Sequence, residues 1–281
     1  MVFSDPIENA IKTYSEDTGG AGKRFDFYLQ QGMRPKYLHF GHKQFLRRGK
    51  VYGKTLLDVG CGLGSFLYAA KERYTVTGID CNKRQIEISR KCYNLTDVHP
   101  LTIEQFIQDY HQRRFDVVTF FETLEHISNP NEFIISVKKA LNPKGYIGIS
   151  VPNVDQADFY FPPMGPPGHV TGWSVRSLRN FLELNGFQIK KIVVKKYPTH
   201  ELGEWFIWRL PIENIKQQIL SEERLSLFDK LKILLMEVFE KILRVGLPIL
   251  LWPLVIIGGS FLKGPQIFCI AQLKSSADTH I

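Results

Sequence analysis

The chain has 281 residues, 44% of them hydrophobic and 23% charged, so it reads as a globular protein with material for one α/β domain plus an insertion, or two small domains. Its net charge of +8 favours acidic partners such as anionic lipid, nucleic acid or a phosphorylated substrate without choosing among them. Four cysteines, Cys61, Cys81, Cys92 and Cys269, show neither CxxC pairs nor the spacing of a secreted scaffold, and the N-terminal MVFSDPIENA lacks a basic stretch followed by an apolar one. A reduced, cytoplasmic chain without a cleaved signal peptide is therefore the expectation.

Residues 1–50 are polar and aromatic by turns and predict one or two capping helices. The stretch containing Arg24, Phe25, Phe27, Tyr28, Tyr37 and His39 either closes over a ligand or packs as an ordinary helix. From residue 54 short apolar runs alternate with helical patterns: KTLLDVG, YTVTGID, VHPLTI, FDVVTFF and GYIGISVP, separated by segments such as SFLYAAKERY and PNEFIISVKKALNP. This alternation predicts a doubly wound, mostly parallel α/β sheet covered on both faces. A further helix, WSVRSLRNFLELNGF, ends at Asn185-Gly186 as a C-capped helix does, and FQIKKIVVKKY follows as a strand. The last strand is PQIFCIAQLK. Between these two strands residues 198–264 read as a helical insertion, so the plan is 1–50 cap, 51–197 core, 198–264 insertion and 265–281 final strand and tail.

In a doubly wound sheet the first strand-to-helix turn brings backbone closest to a ligand, and glycines at 60, 62 and 64 in LLDVGCGLGSF remove the side chains that would block it. A dinucleotide fingerprint requires a third glycine at its sixth position, where this chain has Ser65. Asp80, closing YTVTGID, stands where a carboxylate accepts both hydroxyls of a ribose, a role compatible with either nucleotide class.

Asp58-x-Gly60-x-Gly62-x-Gly64 resembles motif I of the class I methyltransferases that use S-adenosylmethionine (SAM). The resemblance continues through LTIEQF, FDVVTFFETLEHI and LNPKGYIGISVPN and covers roughly residues 50–190. It implies a seven-stranded Rossmann-like sheet of order 3-2-1-4-5-7-6 with the helical insertion before the last strand, and SAM as cofactor. It assigns Asp58, Gly60, Cys61, Gly62, Gly64, Asp80, Cys81, Thr102, Ile103, Phe121 and Glu122 to the cofactor site.

In FETLEHI, Glu122, Glu125 and His126 fall at i, i+3 and i+4, so a helix starting here would project all three to one side. His169 follows 43 residues later in PPGHVTGWS, on a Pro/Gly-rich loop after the fifth strand. Two glutamates and two imidazoles suit a hard divalent ion such as Mg²⁺ or Mn²⁺. The set is similar to the Glu-x-x-Glu-His plus distant His of the ubiquinone-biosynthesis O-methyltransferases and small-RNA 2′-O-methyltransferases. The competing reading has the glutamates orienting the cofactor or capping a helix, with His126 as a metal-free general base or a structural histidine and His169 as a rim residue. The resemblance names Glu125, His126 and His169 as catalytic candidates and implies O-methylation of a small amphiphilic, lipid-linked or sugar-like acceptor. C- or N-methylation on the same fold, or a non-catalytic SAM-binding membrane-associated protein, are its alternatives.

The lysines of KKIVVKK solvate a sheet edge and, without an RNA-module motif beside them, predict no nucleic-acid partner. Residues 245–262, VGLPILLWPLVIIGGSFL, carry no charge over 18 positions between Arg244 and Lys263. Pro248, Pro253 and Gly258-Gly259 interrupt them, and a strand must return to the sheet just afterwards, which counts against a transmembrane helix. A buried core helix, a dimer interface, and a lid lying shallowly on a membrane all fit. The last would make the protein peripheral at the inner face.

Overall fold

The computed structural model describes residues 38–47, 52–155, 169–196, 231–242 and 264–275, with positions 215, 219, 226, 228, 229 and 246. Arg24 to Tyr37 lie outside the described residues, as do residues 245–262 apart from position 246. The chain divides into two compact units, Met1–Lys195 joined by Gln266–Ile281, and Lys196–Pro265. Among the described residues no helix is long and apolar enough to cross a membrane.

The first unit is built on seven strands: β1 (Thr55–Val59), β2 (Thr75–Ile79), β3 (Val98–His99), β4 (Phe115–Phe121), β5 (Leu141–Pro152), β6 (Phe187–Val194) and β7 (Gln266–Leu273). Their order is β3-β2-β1-β4-β5-β7-β6. β1 to β5 pair in parallel, and β7 runs antiparallel between β5 and β6. This is the Rossmann-like α/β sheet expected, closed by the strand that follows the insertion.

Alternation along the central strands divides the core. Leu57, Val59, Val118 and Phe120 face one side, where they pack with α4 (Ile103–Asp109), α5 (Pro130–Ala140) and α6 (Val175–Leu184). Leu56, Val117 and Phe121 face the other, against α1 (Phe40–Leu46), α2 (Ser65–Ala70) and α3 (Lys83–Tyr93). With both faces covered, β1 and β4 read as nearly unbroken apolar runs.

Side-chain caps start the helices where the strands end. Asn82 accepts from the Gln85 N–H at α3, Asn129 from the Glu132 N–H ahead of Pro130 at α5, and Ser174 from the Ser177 N–H at α6. Gly186, with φ of 84°, follows α6 in the left-handed conformation that its position after the helix demands. Two sequence expectations shift. VHPLTI is a strand only at Val98–His99, because Pro100 cannot donate to a ladder and Thr102 with Gln105 forms a capping box that begins α4. β5 begins at Leu141, directly after α5, and an irregularity in its pairing with β4 between Phe115 and Val117 absorbs the residues ahead of Gly145.

Candidate functional site

The turn after β1 is tied to the end of β2. The Gly60 and Cys61 N–H groups donate to the Ile79 carbonyl at 2.8 and 3.0 Å. The Gly62 N–H donates to Asp80 Oδ2 at 2.9 Å and the Asn82 N–H to Asp80 Oδ1 at 2.8 Å. Burial pushes the Asp80 carboxyl up, opposed by these two donors. Each oxygen keeps a lone pair after its one backbone bond, which is the acceptor capacity a cis-diol requires.

The three glycines of the loop do different work. A Cβ on Gly60 would sit 2.5 Å from Thr123 Oγ1, and one on Gly64 would sit 2.7 Å from Leu95 Cδ1 and 2.9 Å from Ser89 Cβ. A Cβ on Gly62 would meet Gln85 Oε1 at 3.0 Å and no other atom within 4 Å. Gly60 and Gly64 therefore permit close packing against neighbouring side chains, whereas Gly62 leaves space above the loop.

That space is a cavity of about 500 Å³ at the carboxyl ends of β1, β2 and β4. Of the residues expected at the cofactor, Gly60, Gly62, Asp80, Cys81, Thr102, Ile103, Phe121 and Glu122 line it. Asp58, Cys61 and Gly64 do not. Asp58 is 2% exposed and receives the Thr119 hydroxyl at 2.6 Å on Oδ1. Burial, reinforced by the charge of Asp80 and opposed by the Thr119 bond, pushes its carboxyl up to about 8. The Cys61 thiol is buried under the loop and is likewise pushed up by burial. These residues shape the turn from below, because β1's alternation sends Asp58 into the sheet next to β4 rather than over its edge. All four cysteines are free thiols.

Beyond β4 the expected helical face is absent. Glu122 has φ of 50°, and the chain reverses there before a 3₁₀ turn over Leu124–His126. Glu122 and Glu125 are thus not successive positions on one helix. Glu122 Oε1 accepts from the Ser150 hydroxyl at 2.7 Å, its side chain also bonds Gln266, and burial pushes its carboxyl up. The remaining three residues converge: ligand atoms of Glu125, His126 and His169 all lie within 4.8 Å of one another. Of the four residues expected at a cation, these three lie together among the described residues, and Glu122 is held aside by β5.

The cluster is assembled by residues 169–173, which follow β5, the strand beside β4. The Val170 and Thr171 N–H groups donate to the Glu125 carbonyl at 2.9 and 3.1 Å, and the Thr171 hydroxyl donates to the Leu124 carbonyl at 3.0 Å. The Trp173 indole N–H in turn holds the Thr171 hydroxyl at 3.0 Å. This brings the His169 ring 4.9 Å from that of His126 and leaves His126 Nε2 3.9 Å from Glu125 Oε1. Glu125 is 1% exposed, and among the described residues its buried Oε2 has no hydrogen-bond partner. Burial first, and then the charge of Glu122, push its carboxyl well above the usual carboxylate range, while burial lowers His169 and favours its neutral form. His126 alone of the three lines the cavity wall, so the cluster meets the space above the glycine loop through this imidazole.

Residues 29–192, carrying the loop, Asp80 and the 3₁₀ turn, match the family described as methyltransferase domain. The chain belongs to this family of SAM-dependent methyltransferases. A ubiquinone biosynthesis O-methyltransferase of Actinobacillus pleuropneumoniae serotype 5b is 40% identical over 111 residues, spanning 37% of this chain and 47% of that protein. Its namesake in Pasteurella multocida is 36% identical over 162 residues, 53% of this chain and 63% of that protein. The matches thus span under two thirds of these curated relatives. In fold, the chain is similar to the Haemonchus contortus phosphoethanolamine N-methyltransferase 2, with a TM-score of 0.54 at 14% identity over 97% of this chain and 61% of the other.

The cavity of this methyltransferase domain also includes His39, Gln85, Asn129 and Glu132. His39, the N-cap of α1, is the described part of the N-terminal stretch expected near the ligand, and burial lowers its imidazole pKa. Asn129 and Glu132 were legible as the start of α5, since Asn-Pro-x-Glu is a helix N-terminus signature. Nothing in that signature says that the start overhangs the cavity. Gln85 carries no sequence signal, being one polar residue in the first turn of α3.

Proposed function

We propose that this methyltransferase domain carries the SAM methyl group to an oxygen of a small amphiphilic or lipid-linked acceptor that enters beside His126. The observation that carries the reading is the buried Glu125 Oε2, without a partner among the described residues, next to two imidazoles, one of which lines the cofactor cavity. A buried polar atom without a partner costs about 1–3 kcal/mol. A ligand that engages it is the simplest compensation.

The chain's residues supply binding, alignment and a proton acceptor. Asp80 takes the ribose hydroxyls and the loop at Gly62 admits the rest of the cofactor. The acceptor oxygen attacks the methyl carbon, the carbon–sulfur bond breaks with its electron pair left on sulfur, and the hydroxyl proton passes to His126. Alignment supplies much of the rate in such an in-line transfer. As an alternative to His126 acting as a metal-free base, one carboxylate and two imidazoles form a donor set that fits a divalent ion such as Mn²⁺, with Glu125, His126 and His169 as its ligands. Bound there, the ion would lower the pKa of an acceptor hydroxyl.

The test supplies the purified protein with methyl-labelled SAM and a cell extract of small molecules and lipids. The expected product releases its label as methyl iodide on hydriodic acid treatment, as ethers do, and His126→Ala abolishes its formation. Label retained on carbon or nitrogen would overturn the oxygen acceptor. Binding of S-adenosylhomocysteine (SAH) without any transfer would overturn catalysis. Full activity after exhaustive chelation would remove the ion and leave His126 as the sole proton acceptor.

A further inference from the structure

Residues 231–242 form a helix in the second unit, and positions 228 and 229 are helical as well. At about 100° per residue, Leu234, Val238, Leu231, Ile242, Leu235, Phe228 and Phe239 fall in this angular order across one arc of roughly 140°. All seven are between 45% and 67% exposed. Two lysines border the arc: Lys241 lies beside Leu234 at one edge and Lys232 beside Phe239 at the other. The acidic side chains Asp229, Glu237 and Glu240 occupy the opposite side. Lys232 lies with Nζ 5.1 Å from the Phe228 ring centroid, its stem along the apolar surface and its head at the border.

We propose that this face lies on the surface of a bilayer containing anionic lipid, with Lys232 and Lys241 at the level of the headgroup phosphates. Apolar side chains in an exposed stripe with lysines at its margins match the passage from acyl chains to headgroup phosphates, and the opposite side, with Asp229, Ile233, Met236 and Glu240, is partly buried. The chain's net charge of +8 has the sign that draws it to such a surface. A second copy of the helix is a poor occupant. Packed stripe to stripe, parallel or antiparallel, two copies bring lysine borders together, and Asp229, 4.0 Å from Lys232 Nζ, is an acid of the same helix and not one offered by the partner copy. The inference stands on this face alone and does not depend on the acceptor proposed above.

The test is flotation of the full-length protein with phosphatidylcholine vesicles, with and without phosphatidylglycerol, at low and high salt. The expected result is flotation with the anionic vesicles, weakened by salt. Leu231→Ser/Leu235→Ser/Phe239→Ser should lower vesicle partitioning at least about tenfold while its circular dichroism melting curve matches the parent's. Lys232→Glu/Lys241→Glu should lose binding to anionic vesicles and leave binding to neutral ones unchanged. Parent protein that stays off anionic vesicles would overturn the proposal. So would a triple-serine variant that melts well below the parent, since the face would then be core. A concentration-dependent dimer in analytical ultracentrifugation that the serine substitutions abolish would assign the face to a second copy instead.

Discussion

Gly62→Ala and Gly64→Ala are the same chemical change two residues apart, and the structure assigns them opposite consequences. Both positions have positive φ, 54° and 82°, so either alanine costs about 1–2 kcal/mol for a left-handed backbone. At Gly64 the new methyl would also press on Leu95 Cδ1 and Ser89 Cβ, both under 3.0 Å away, adding overpacking of about 1–3 kcal/mol. At Gly62 it would meet Gln85 Oε1, the mobile end of a side chain, and would otherwise project into the cavity. With a melting shift of roughly 2–4 °C per kcal/mol for a domain of this size, Gly62→Ala should lower Tm by about 2–8 °C and Gly64→Ala by about 4–20 °C. SAH affinity, measured by isothermal titration calorimetry, should fall at least about tenfold for Gly62→Ala, since the methyl occupies ligand volume. If Gly62→Ala melts as low as Gly64→Ala, or binds SAH like the parent, the division of labour within the loop is wrong.

Asp80→Asn keeps one acceptor but not the two charge-assisted bonds a ribose takes, so SAH binding should weaken by about 1.5–3 kcal/mol. Unchanged affinity in the same titration would remove Asp80 from the ribose site. Asp58 is raised in the folded protein from 3.8 to about 8, so the folded state holds a proton that the unfolded chain gives up. Its contribution to stability must therefore decline as pH rises from about 4 to about 8 and level off beyond. Asp58→Asn removes that decline, and urea unfolding across this pH range should give the variant a flatter stability profile than the parent. Parallel profiles would show that Asp58 is ionised in the native state.

Much of this molecule follows from local chemistry. The unbroken apolar runs of β1 and β4, the Asn and Ser caps of α3, α5 and α6, the glycines before α2 and the acidic residue closing β2 each act over a few residues, so the linear pattern carries them. The order of the seven strands followed from the resemblance that these motifs establish. What the sequence could not determine is where a side chain points once the chain leaves a regular element. Glu122 and Glu125 look equivalent at a three-residue spacing, but the positive φ of Glu122 and the Ser150 hydroxyl on β5 turn one carboxyl toward the sheet, while the other is buried beside His126. His169 joins them because Val170 and Thr171, which follow the neighbouring strand β5, donate to the Glu125 carbonyl, a contact between residues more than 40 positions apart. Asp58 and Asp80 are similar as strand-end aspartates. Neighbouring strands decide that the first is sealed against Thr119 while the second faces the cavity, because in a parallel sheet each residue's surroundings are supplied by the strand beside it, not by its neighbours in sequence.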